Sequence, residues 1–439
     1  MSSSAVYDVV LFGVTGFTGK LALEHLLTKH YPISWACCAR NEAKAQALVK
    51  SIANGCGVAE TPPIEVADLV CTTTAQEATL RAVVKKARVV ITTAGPFEKY
   101  GQTLVKLCAE EGVSYADITG ESDFFRSMIA QHDATARRTG ATIVIHCGND
   151  CIPWDLTVFE MHELARRRGG ELVEVSTYTE YPPGTGASGG TLTTAVYQLG
   201  KKRSGAAKGD FDPLLRTPSG SKSTYATKVT SPKRDVWVPE FNTKGGPWIM
   251  SPVMANCVRR SNALLQYSPS FAYSEAQLRN ATLLQWCKDT GYQALVGAAI
   301  YMPFVFQRFL PQPGEGPSRE VMDNGWLTVH GRGRMVLRKA ADGAATQTVN
   351  LVSKFHFRCA ASLIKPRQSP DRAPTEPRKS PGRAPEEPRL LSRTQAATRQ
   401  QHPGSTSAAP RQPPDSRVLS GCARAGRYYQ SINQSTPCY

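Results

Sequence analysis

The sequence lacks a long apolar stretch of the kind that crosses a membrane. Its longest uncharged apolar run, residues 294–306, is 13 residues long and contains Pro303, whereas a single transmembrane helix needs about 20 such residues. We interpret this run as either a buried helix or a segment that dips into a membrane. No charged n-region precedes the first strand, which begins near Val6, so we expect no cleaved secretory signal.

Metal-binding cysteine pairs and acidic residues are also scarce. The 12 cysteines are scattered without zinc-ligand spacing, so we expect reduced thiols in an intracellular compartment and no metal site. Basic residues outnumber acidic ones by 52 to 36, but residues 361–439 hold 13 Lys and Arg against 5 Asp and Glu, which is half of that excess. No nucleic-acid-binding motif accompanies this charge, so we expect no nucleic-acid partner.

What the sequence does contain is a glycine-rich loop directly after an apolar strand. The strand ends at Phe12, and Gly13, Gly16 and Gly19 lead into a helical pattern. Glycines here let the backbone turn tightly and approach a pyrophosphate, while the helix N-terminus offers free N–H groups to the anion. The loop therefore predicts dinucleotide binding. The alternative is a glycine-rich turn that only packs a helix against a strand.

Strands and helices alternate along the first part of the chain. Apolar runs of strand type occur at residues 6–12, 35–39, 63–68, 87–93, 114–117 and 142–146. This alternation predicts an α/β fold with a Rossmann-type, doubly wound parallel sheet over residues 1–150. We expect a second α/β domain with an antiparallel sheet over residues 151–360. Residues 361–439 hold 12 of the 30 prolines, and this Pro- and Arg-rich composition predicts a disordered tail.

Three features after the glycine loop bear on the cofactor. The second strand ends at Arg40, near Lys44, where an arginine accommodates the 2′-phosphate of NADP; a solvated arginine is the alternative. Asp68 follows the third strand and either borders the adenine or belongs to a plain turn. A glycine- and proline-containing loop after the fourth strand is expected to lie against the cofactor. The residues expected to contact NADP, with NADPH preferred over NADH, are Gly13, Thr15, Gly16, Phe17, Thr18, Gly19, Arg40, Asp68, Ala94, Gly95, Pro96 and Phe97.

No pair of residues stands out as a catalytic acid and base. Hydride transfer often needs a group that gives or takes a proton, and the weak candidates are Asp117, Glu121 and Asp150, followed by Tyr100 and His146. Each has a structural alternative. The aspartates suit turns or helix caps, His146 suits a core, and Tyr100 suits packing. The sequence therefore leaves the catalytic residue open.

Several motifs together resemble the saccharopine dehydrogenase-like oxidoreductases over residues 6–355. The motifs that carry the resemblance are Gly13–Gly19, Cys38–Asn41, Thr93–Phe97 with Tyr100 and Gly101, Tyr115–Glu121, Gly148–Asp155 and Ser188–Thr191. The resemblance implies an NADP-binding Rossmann domain followed by an α/β domain that carries substrate and dimer contacts, and hence a homodimer.

The chain departs from this family pattern in two places. Residues 148–153 read Gly-Asn-Asp-Cys-Ile-Pro where the family has Gly-Phe-Asp-Ser-Ile-Pro. The family's ending, a Gly-Asp-Pro-Gly-Tyr loop and a helix that packs on the first domain, is replaced by the proline-rich tail. With this aberrant C-terminus we expect exposed apolar surface and a chain less stable than its relatives.

The resemblance implies an NADP(H)-dependent oxidoreductase but does not fix the substrate. This branch resembles proteins of lipid droplets, mitochondria, membranes and glycolipid biosynthesis, so we expect a hydrophobic or lipid-linked substrate and an intracellular location on a droplet or membrane surface. One alternative is a non-catalytic NADP(H)-binding protein at a lipid surface. Another is saccharopine-type chemistry on an amino-acid adduct.

Overall fold

A computed structural model describes most of the chain up to residue 358 and one later strand. The described residues are 5–181, 188–203, 223–248, 250–279, 311–312, 314–337, 347–358 and 418–420, together with Gly291, Ala294, Ala298 and Met302. The strands of this part of the chain are β1 Tyr7–Phe12, β2 Trp35–Ala39, β3 Ile64–Val66, β4 Ala87–Thr92, β5 Ser114–Asp117, β6 Ile143–Ile145, β7 Gly170–Glu180, β8 Ala226–Val229, β9 Val236–Val238, β10 Thr243–Gly246, β11 Ser270–Leu278, β12 Trp326–Leu337, β13 Gln347–Arg358 and β14 Val418–Ser420.

Helices cover both sheets that these strands form. Their bounds are α1 Phe17–Lys29, α2 Glu42–Gly55, α3 Thr74–Lys85, α4 Phe97–Tyr100, α5 Gln102–Glu111, α6 Ser122–Thr139, α7 Ile152–Arg167, α8 Gly189–Arg203 and α9 Ser251–Leu265, followed by a short helix Arg319–Asp323. Side-chain caps start several of them. The Asn41 side chain accepts the N–H of Lys44 at the start of α2, and Thr73 and Gln76 form a capping box at α3.

The first sheet is parallel throughout, in the order β14-β6-β5-β4-β1-β2-β3. This confirms the predicted Rossmann-type architecture. Strand β1 is buried on both faces, as its continuous apolar sequence requires. Leu11 packs with Leu23 and Leu27 of α1 on one face, and Val10 and Phe12 pack under the helices of the other face.

The seventh strand of this sheet, β14, comes from the region predicted to be disordered. Val418–Ser420 pairs in parallel with Ile143–Ile145, an element that the sequence prediction of a disordered tail did not include. A run of three residues is too short for a sequence pattern to separate from its surroundings. The remainder of 361–439 lies outside the described residues.

The second sheet is mixed. Its order is β13-β12-β7-β11-β10-β9, with β8 beside β11. The outer pairs are antiparallel, as expected, but β11 runs parallel to both β7 and β8. Parallel neighbours need a crossover connection, and the long chain between β7 and β11, which includes α8 and α9, supplies it. Helices α7 and α9 contribute apolar side chains to the core of this sheet.

The two sheets are joined by helices that share a buried contact. Arg260 of α9 is only 1% exposed, and its Nη2 lies 3.9 Å from Oδ1 of Asp133 on α6. Burial lowers the pKa of Arg260 to about 10. Asn256, also on α9, donates a hydrogen bond of 3.3 Å to the Ser122 hydroxyl at the start of α6. Helix α9 of the second sheet therefore packs directly on the Rossmann layer.

Only three residues of the apolar run 294–306 are described. The Met302 N–H donates to the Ala298 carbonyl at 2.8 Å, a spacing of four residues that is typical of a helix, and Met302 is 42% exposed. The choice between a buried and a membrane-dipping segment otherwise falls outside the described residues. Within the described ranges, no helix has both the length and the apolar character needed to cross a membrane.

Candidate functional site

The glycine loop is held together by backbone contacts that leave no room for side chains. Gly13 has φ +83°, and a Cβ there would lie 2.9 Å from the Ala94 nitrogen and from Oγ1 of Thr93. A Cβ on Gly19 would lie 2.0 Å from the Gly13 carbonyl oxygen. Glycine at both positions is therefore a steric requirement, and the loop packs directly on the segment that follows β4.

The first turn of α1 provides an anion-binding end. The helix begins at Phe17, its N-cap residue Gly16 has no capping side chain, and the first turn contains no acidic residue. The first N–H groups of a helix have no partners within the helix, and they carry partial positive charge. Thr15 precedes this helix, and Thr18 lies in its first turn. The cradle fits the pyrophosphate of a dinucleotide.

The strand order sets the direction in which a dinucleotide would lie. Strand β1 stands between β4 and β2, so the chain reverses direction across the sheet there, which is where ligands bind in such folds. Arg40 is exposed at the carboxyl end of β2, on the adenosine side. Asp68, beyond β3, accepts the Val70 N–H at 3.0 Å, which is the plain-turn alternative for this residue.

The loop after β4 packs against the glycine loop on the side of β1 that faces away from β2. Oγ1 of Thr93 is 3.3 Å from the carbonyl oxygens of Phe12 and Gly13. The chain then passes through Ala94 and a cis peptide bond between Gly95 and Pro96. Ala94, Gly95 and Pro96 therefore lie in the segment that packs on the glycine loop, whereas Phe97 begins α4 and its side chain is buried in the core of the first sheet.

Glu121 is buried and holds the end of this loop. Its Oε1 accepts the Phe97 N–H at 2.7 Å, and its Oε2 accepts the Glu98 N–H at 3.0 Å. Burial raises the pKa of Glu121, and the two N–H groups oppose that shift. The carboxylate thus accepts the N–H groups of the first turn of α4. The N-cap residue of this helix, Pro96, provides no side-chain hydrogen bond to them.

Asp117 and His146 form a second buried group beneath Glu121. Oδ1 of Asp117 accepts the N–H groups of Thr119 at 3.1 Å and His146 at 3.2 Å, and Oδ2 accepts the Tyr115 hydroxyl at 2.8 Å. Burial raises the pKa of Asp117 to about 7 and lowers that of His146 to about 4. The Nδ1 atom of His146 contacts the Thr119 carbonyl oxygen. Both side chains fix the turn after β5.

The other two candidates lie apart from this buried group. Asp150 is exposed and directly precedes Cys151, the N-cap residue of α7. Tyr100 ends α4, where Nζ of Lys99 lies 5.2 Å from its ring centroid. The structure therefore brings Asp117, Glu121 and His146 together, with neither Asp150 nor Tyr100 among their hydrogen-bond partners in the described part of the chain.

Helix α8 brings residues to the site that sequence reasoning missed. Nζ of Lys201 lies 2.6 Å from Oε1 of Glu98 and 2.8 Å from Oδ2 of Asp123. Nε2 of Gln198 is 3.2 Å from Oε2 of Glu98 and 3.3 Å from Oε2 of Glu121. The Ser188–Thr191 motif signals where this helix starts, but no local pattern marks the two residues a few turns later.

A segment from late in the chain covers α1 next to the glycine loop. We call this segment, Gly314–Arg319, the strap. It packs so closely on α1 that a Cβ on Gly316 would lie 2.5 Å from the Phe17 ring. Lys20 donates to the Gly314 carbonyl at 3.0 Å, and Arg319 pairs with Glu24. A cavity of about 700 Å³ lies between the strap and α1, lined by Phe17, Lys20, Leu21, Pro311, Gly314, Glu315, Gly316, Pro317, Arg319 and Met322.

No group of three or more His, Cys, Asp or Glu side chains in the described ranges is arranged to hold a metal ion. The features that fit a cofactor are instead those of a dinucleotide site. They are a cradle that any Cβ would fill, an uncapped helix end, and an exposed arginine where a 2′-phosphate would lie.

Comparison with known proteins agrees with this geometry. Residues 9–144 match the family model of the saccharopine dehydrogenase NADP binding domain. The chain is 32% identical over 368 residues to a Mycobacterium tuberculosis protein provisionally named a trans-acting enoyl reductase, covering 77% of this chain and 84% of that protein. It is 30% identical over 340 residues to the trans-acting enoyl reductase of Mycobacterium bovis, covering 73% and 79%.

A solved structure of apo saccharopine dehydrogenase (L-Glu forming) from Saccharomyces cerevisiae aligns over 82% of this chain and 88% of that one, with 13% identity and a TM-score of 0.39. The sequence matches identify the family. By those matches the protein is an oxidoreductase with NADP as its cofactor, and the chain belongs to the saccharopine dehydrogenase-like family.

Proposed function

We propose that the protein is an NADPH-dependent reductase of a carbon–carbon double bond in a hydrophobic, lipid-linked substrate. The observation that carries this proposal is the similarity, over about three quarters of the chain, to proteins named trans-acting enoyl reductases. Leu21, Pro317 and Met322 line the cavity beside Phe17 together with the charged Lys20, Glu315 and Arg319, and the apolar part of this lining supports a hydrophobic substrate. An apolar chain in this cavity would lie next to the glycine loop.

The chain's own residues would bind and orient both partners. Bound NADPH supplies the hydride. The glycine loop and the first turn of α1 bind its pyrophosphate, and Arg40 binds its 2′-phosphate. Both oxygens of Asp117 and of Glu121 already accept hydrogen bonds. These bonds tie both side chains into the turns after β4 and β5, so we assign the proton that completes the reduction to another group or to water.

The test is NADPH oxidation by the purified protein with short-chain and long-chain enoyl thioesters. We expect NADPH absorbance to fall only when an enoyl substrate is present, and faster with the long chain. Saturated thioesters of the same lengths serve as controls. NADPH that binds but is not consumed with any enoyl thioester would contradict the proposal.

A variant of the cavity tests where the apolar chain binds. Met322→Gln replaces an apolar thioether of the cavity lining with an amide, and we expect it to raise KM for the long-chain substrate by about threefold to tenfold, in line with the cost of losing part of a buried apolar contact. KM for the short chain should be unchanged. The matched control is Val321→Gln on the same helix, because Val321 is 37% exposed and does not line the cavity. Equal effects of the two variants would exclude the cavity as the binding site.

A second candidate is a non-catalytic NADP(H)-binding protein at a lipid-droplet or membrane surface, acting as a homodimer. It is favoured by the engagement of Asp117, Glu121 and His146 in structural hydrogen bonds. Sedimentation with liposomes and NADPH titration separate the two candidates. Tight NADPH binding and liposome association without turnover would support this second candidate.

A further inference from the structure

We infer that Glu121 is a positioning residue for the nicotinamide end of NADP(H), and that Gln198 and Lys201 make helix α8 part of the same support. This inference depends on the cofactor assignment and on no particular substrate. Glu121 is 1% exposed. None of the motif patterns in the sequence indicates this role, because the groups that Glu121 contacts lie far from it along the chain.

The strand order sets the direction of the cofactor across the sheet. By the pattern of this fold, the pyrophosphate would lie at the glycine loop after β1, and the 2′-phosphate would lie at Arg40 after β2. Because β4 adjoins β1 on the side away from β2, the nicotinamide half would extend toward the loop after β4. Contacts between Thr93 and the carbonyl oxygens of Phe12 and Gly13 join this loop to the glycine loop.

Hydrogen bonds to Glu121 hold the end of the loop after β4 in its conformation. Its last residues lead into α4, whose first turn presents the N–H groups of Phe97 and Glu98. Glu121 accepts both, at 2.7 Å and 3.0 Å. The Glu121 N–H is itself held by the Thr119 hydroxyl at 3.0 Å. One carboxylate therefore links the turn after β5 to the loop after β4.

Helix α8 links this support to the second domain. Lys201 binds the carboxylates of both Glu98 and Asp123, and its side chain is 14% exposed. Gln198, one turn earlier, reaches Glu98 and Glu121. At its other end, α8 begins at Gly189, whose N–H donates to the Glu315 carbonyl of the strap at 3.0 Å. Helix α8 thus runs from the strap beside the glycine loop to the loop after β4.

The experiment compares two ligands by isothermal titration calorimetry. NADPH spans the whole crevice, whereas 2′-phospho-ADP-ribose lacks the nicotinamide and binds only the glycine loop and the adenosine side. Glu121→Gln cannot accept both N–H groups with one amide oxygen. We expect it to weaken NADPH about tenfold, the effect of one unsatisfied N–H group. The affinity for 2′-phospho-ADP-ribose should stay within about twofold.

Two further variants separate positioning from general damage. Lys201→Met leaves both Glu121 bonds in place and should weaken NADPH by about threefold, again without an effect on 2′-phospho-ADP-ribose. Glu65→Gln is the matched control. Glu65 has a carboxylate that is 14% exposed and pairs with Lys86, and it lies on β3, away from both cofactor loops. We expect it to change neither affinity.

Selective loss of NADPH affinity in Glu121→Gln supports the inference. Equal weakening of both ligands, or no weakening of either, would overturn it. If Glu121→Gln does not fold, Lys201→Met provides the same test by itself. An equal change in the affinities for NADPH and 2′-phospho-ADP-ribose in that variant, relative to wild type, would overturn the inference. Because the readout is binding, the absence of enoyl reduction would contradict the proposed function without bearing on this inference.

Discussion

The two loops that flank the cofactor crevice are stabilised in different ways. The glycine loop depends mainly on close backbone packing, since a Cβ on Gly19 would lie 2.0 Å from the Gly13 carbonyl oxygen, and the Thr93 hydroxyl adds one side-chain contact to that oxygen. The loop after β4 depends on side chains from other elements, with Glu121 before α6 and Lys201 on α8. The first loop can be read from a short stretch of sequence. The conformation of the second loop can be predicted only once the fold brings Glu121 and Lys201 next to it.

The largest effect should come from filling the glycine loop. In Gly19→Ala the new methyl group has no space, so the loop must shift away from its pyrophosphate-binding geometry. We expect NADPH binding to fall by at least about a hundredfold, together with a lower melting temperature. Calorimetric titration and a thermal melt would measure both.

Two other glycines give a graded comparison. A Cβ on Gly16 would lie 3.2 Å from the Gly13 carbonyl oxygen, and a Cβ on Gly55 at the end of α2 would meet no atom within 4 Å. Gly16→Ala should weaken NADPH less than Gly19→Ala, and Gly55→Ala should leave binding unchanged. Normal NADPH affinity in Gly19→Ala would refute the steric account of this loop.

A smaller and more specific effect is expected at the adenosine side. Arg40→Ala removes the cation at the end of β2, so we expect NADPH to bind about tenfold to a hundredfold more weakly, while NADH affinity changes little. Arg88→Ala, an exposed arginine on β4 that pairs with Asp8 at 2.9 Å, is the matched control. The prediction fails if Arg40→Ala lowers the affinities for both cofactors equally.

The smallest effect on binding is expected at Asp117, where the change should appear in stability. Burial raises the pKa of Asp117 from its usual 3.8 to about 7, so the folded state holds this proton more tightly than the unfolded state. Its contribution to stability is present below the unfolded pKa and is lost as pH rises from about 4 to about 7. Asp117→Asn removes this dependence and should leave NADPH affinity within about twofold.

Urea unfolding across that pH range tests the Asp117 prediction. The free energy of unfolding of Asp117→Asn should improve relative to wild type as pH rises, by roughly 1.4 kcal/mol for each pH unit that separates the folded and unfolded pKa values of Asp117. His146, with its pKa lowered to about 4, contributes with the opposite sign in both proteins and cancels in the difference. Parallel pH profiles would show that Asp117 does not carry this proton.

Local chemistry explains how much of the fold and site could be predicted from the sequence. The glycine loop and the parallel first sheet depend on short patterns of glycine, apolar residues and strand spacing, and these patterns predict both. For Asp68 the sequence allows either adenine contact or a plain turn, and its bond to the Val70 N–H provides a structural role.

The remaining features could not be predicted because they join distant segments. Glu121 is only a weak catalytic candidate in the sequence, and its partners Phe97 and Glu98 lie more than 20 residues away, so no spacing rule connects them. The packing of Gly316 on Phe17 joins residues about 300 positions apart. The parallel pairing of β11 with β7 depends on a crossover whose path the sequence pattern does not encode.

The buried pair between Arg260 and Asp133 limits how the two halves of the chain can be exchanged between proteins. A chimera that kept α9 but received another Rossmann domain would change the groups around a guanidinium that has almost no access to water, the Asp133 carboxylate among them. Each half therefore completes the interior of the other. The transferable unit, in protein engineering as in gene fusion, is the pair of domains together.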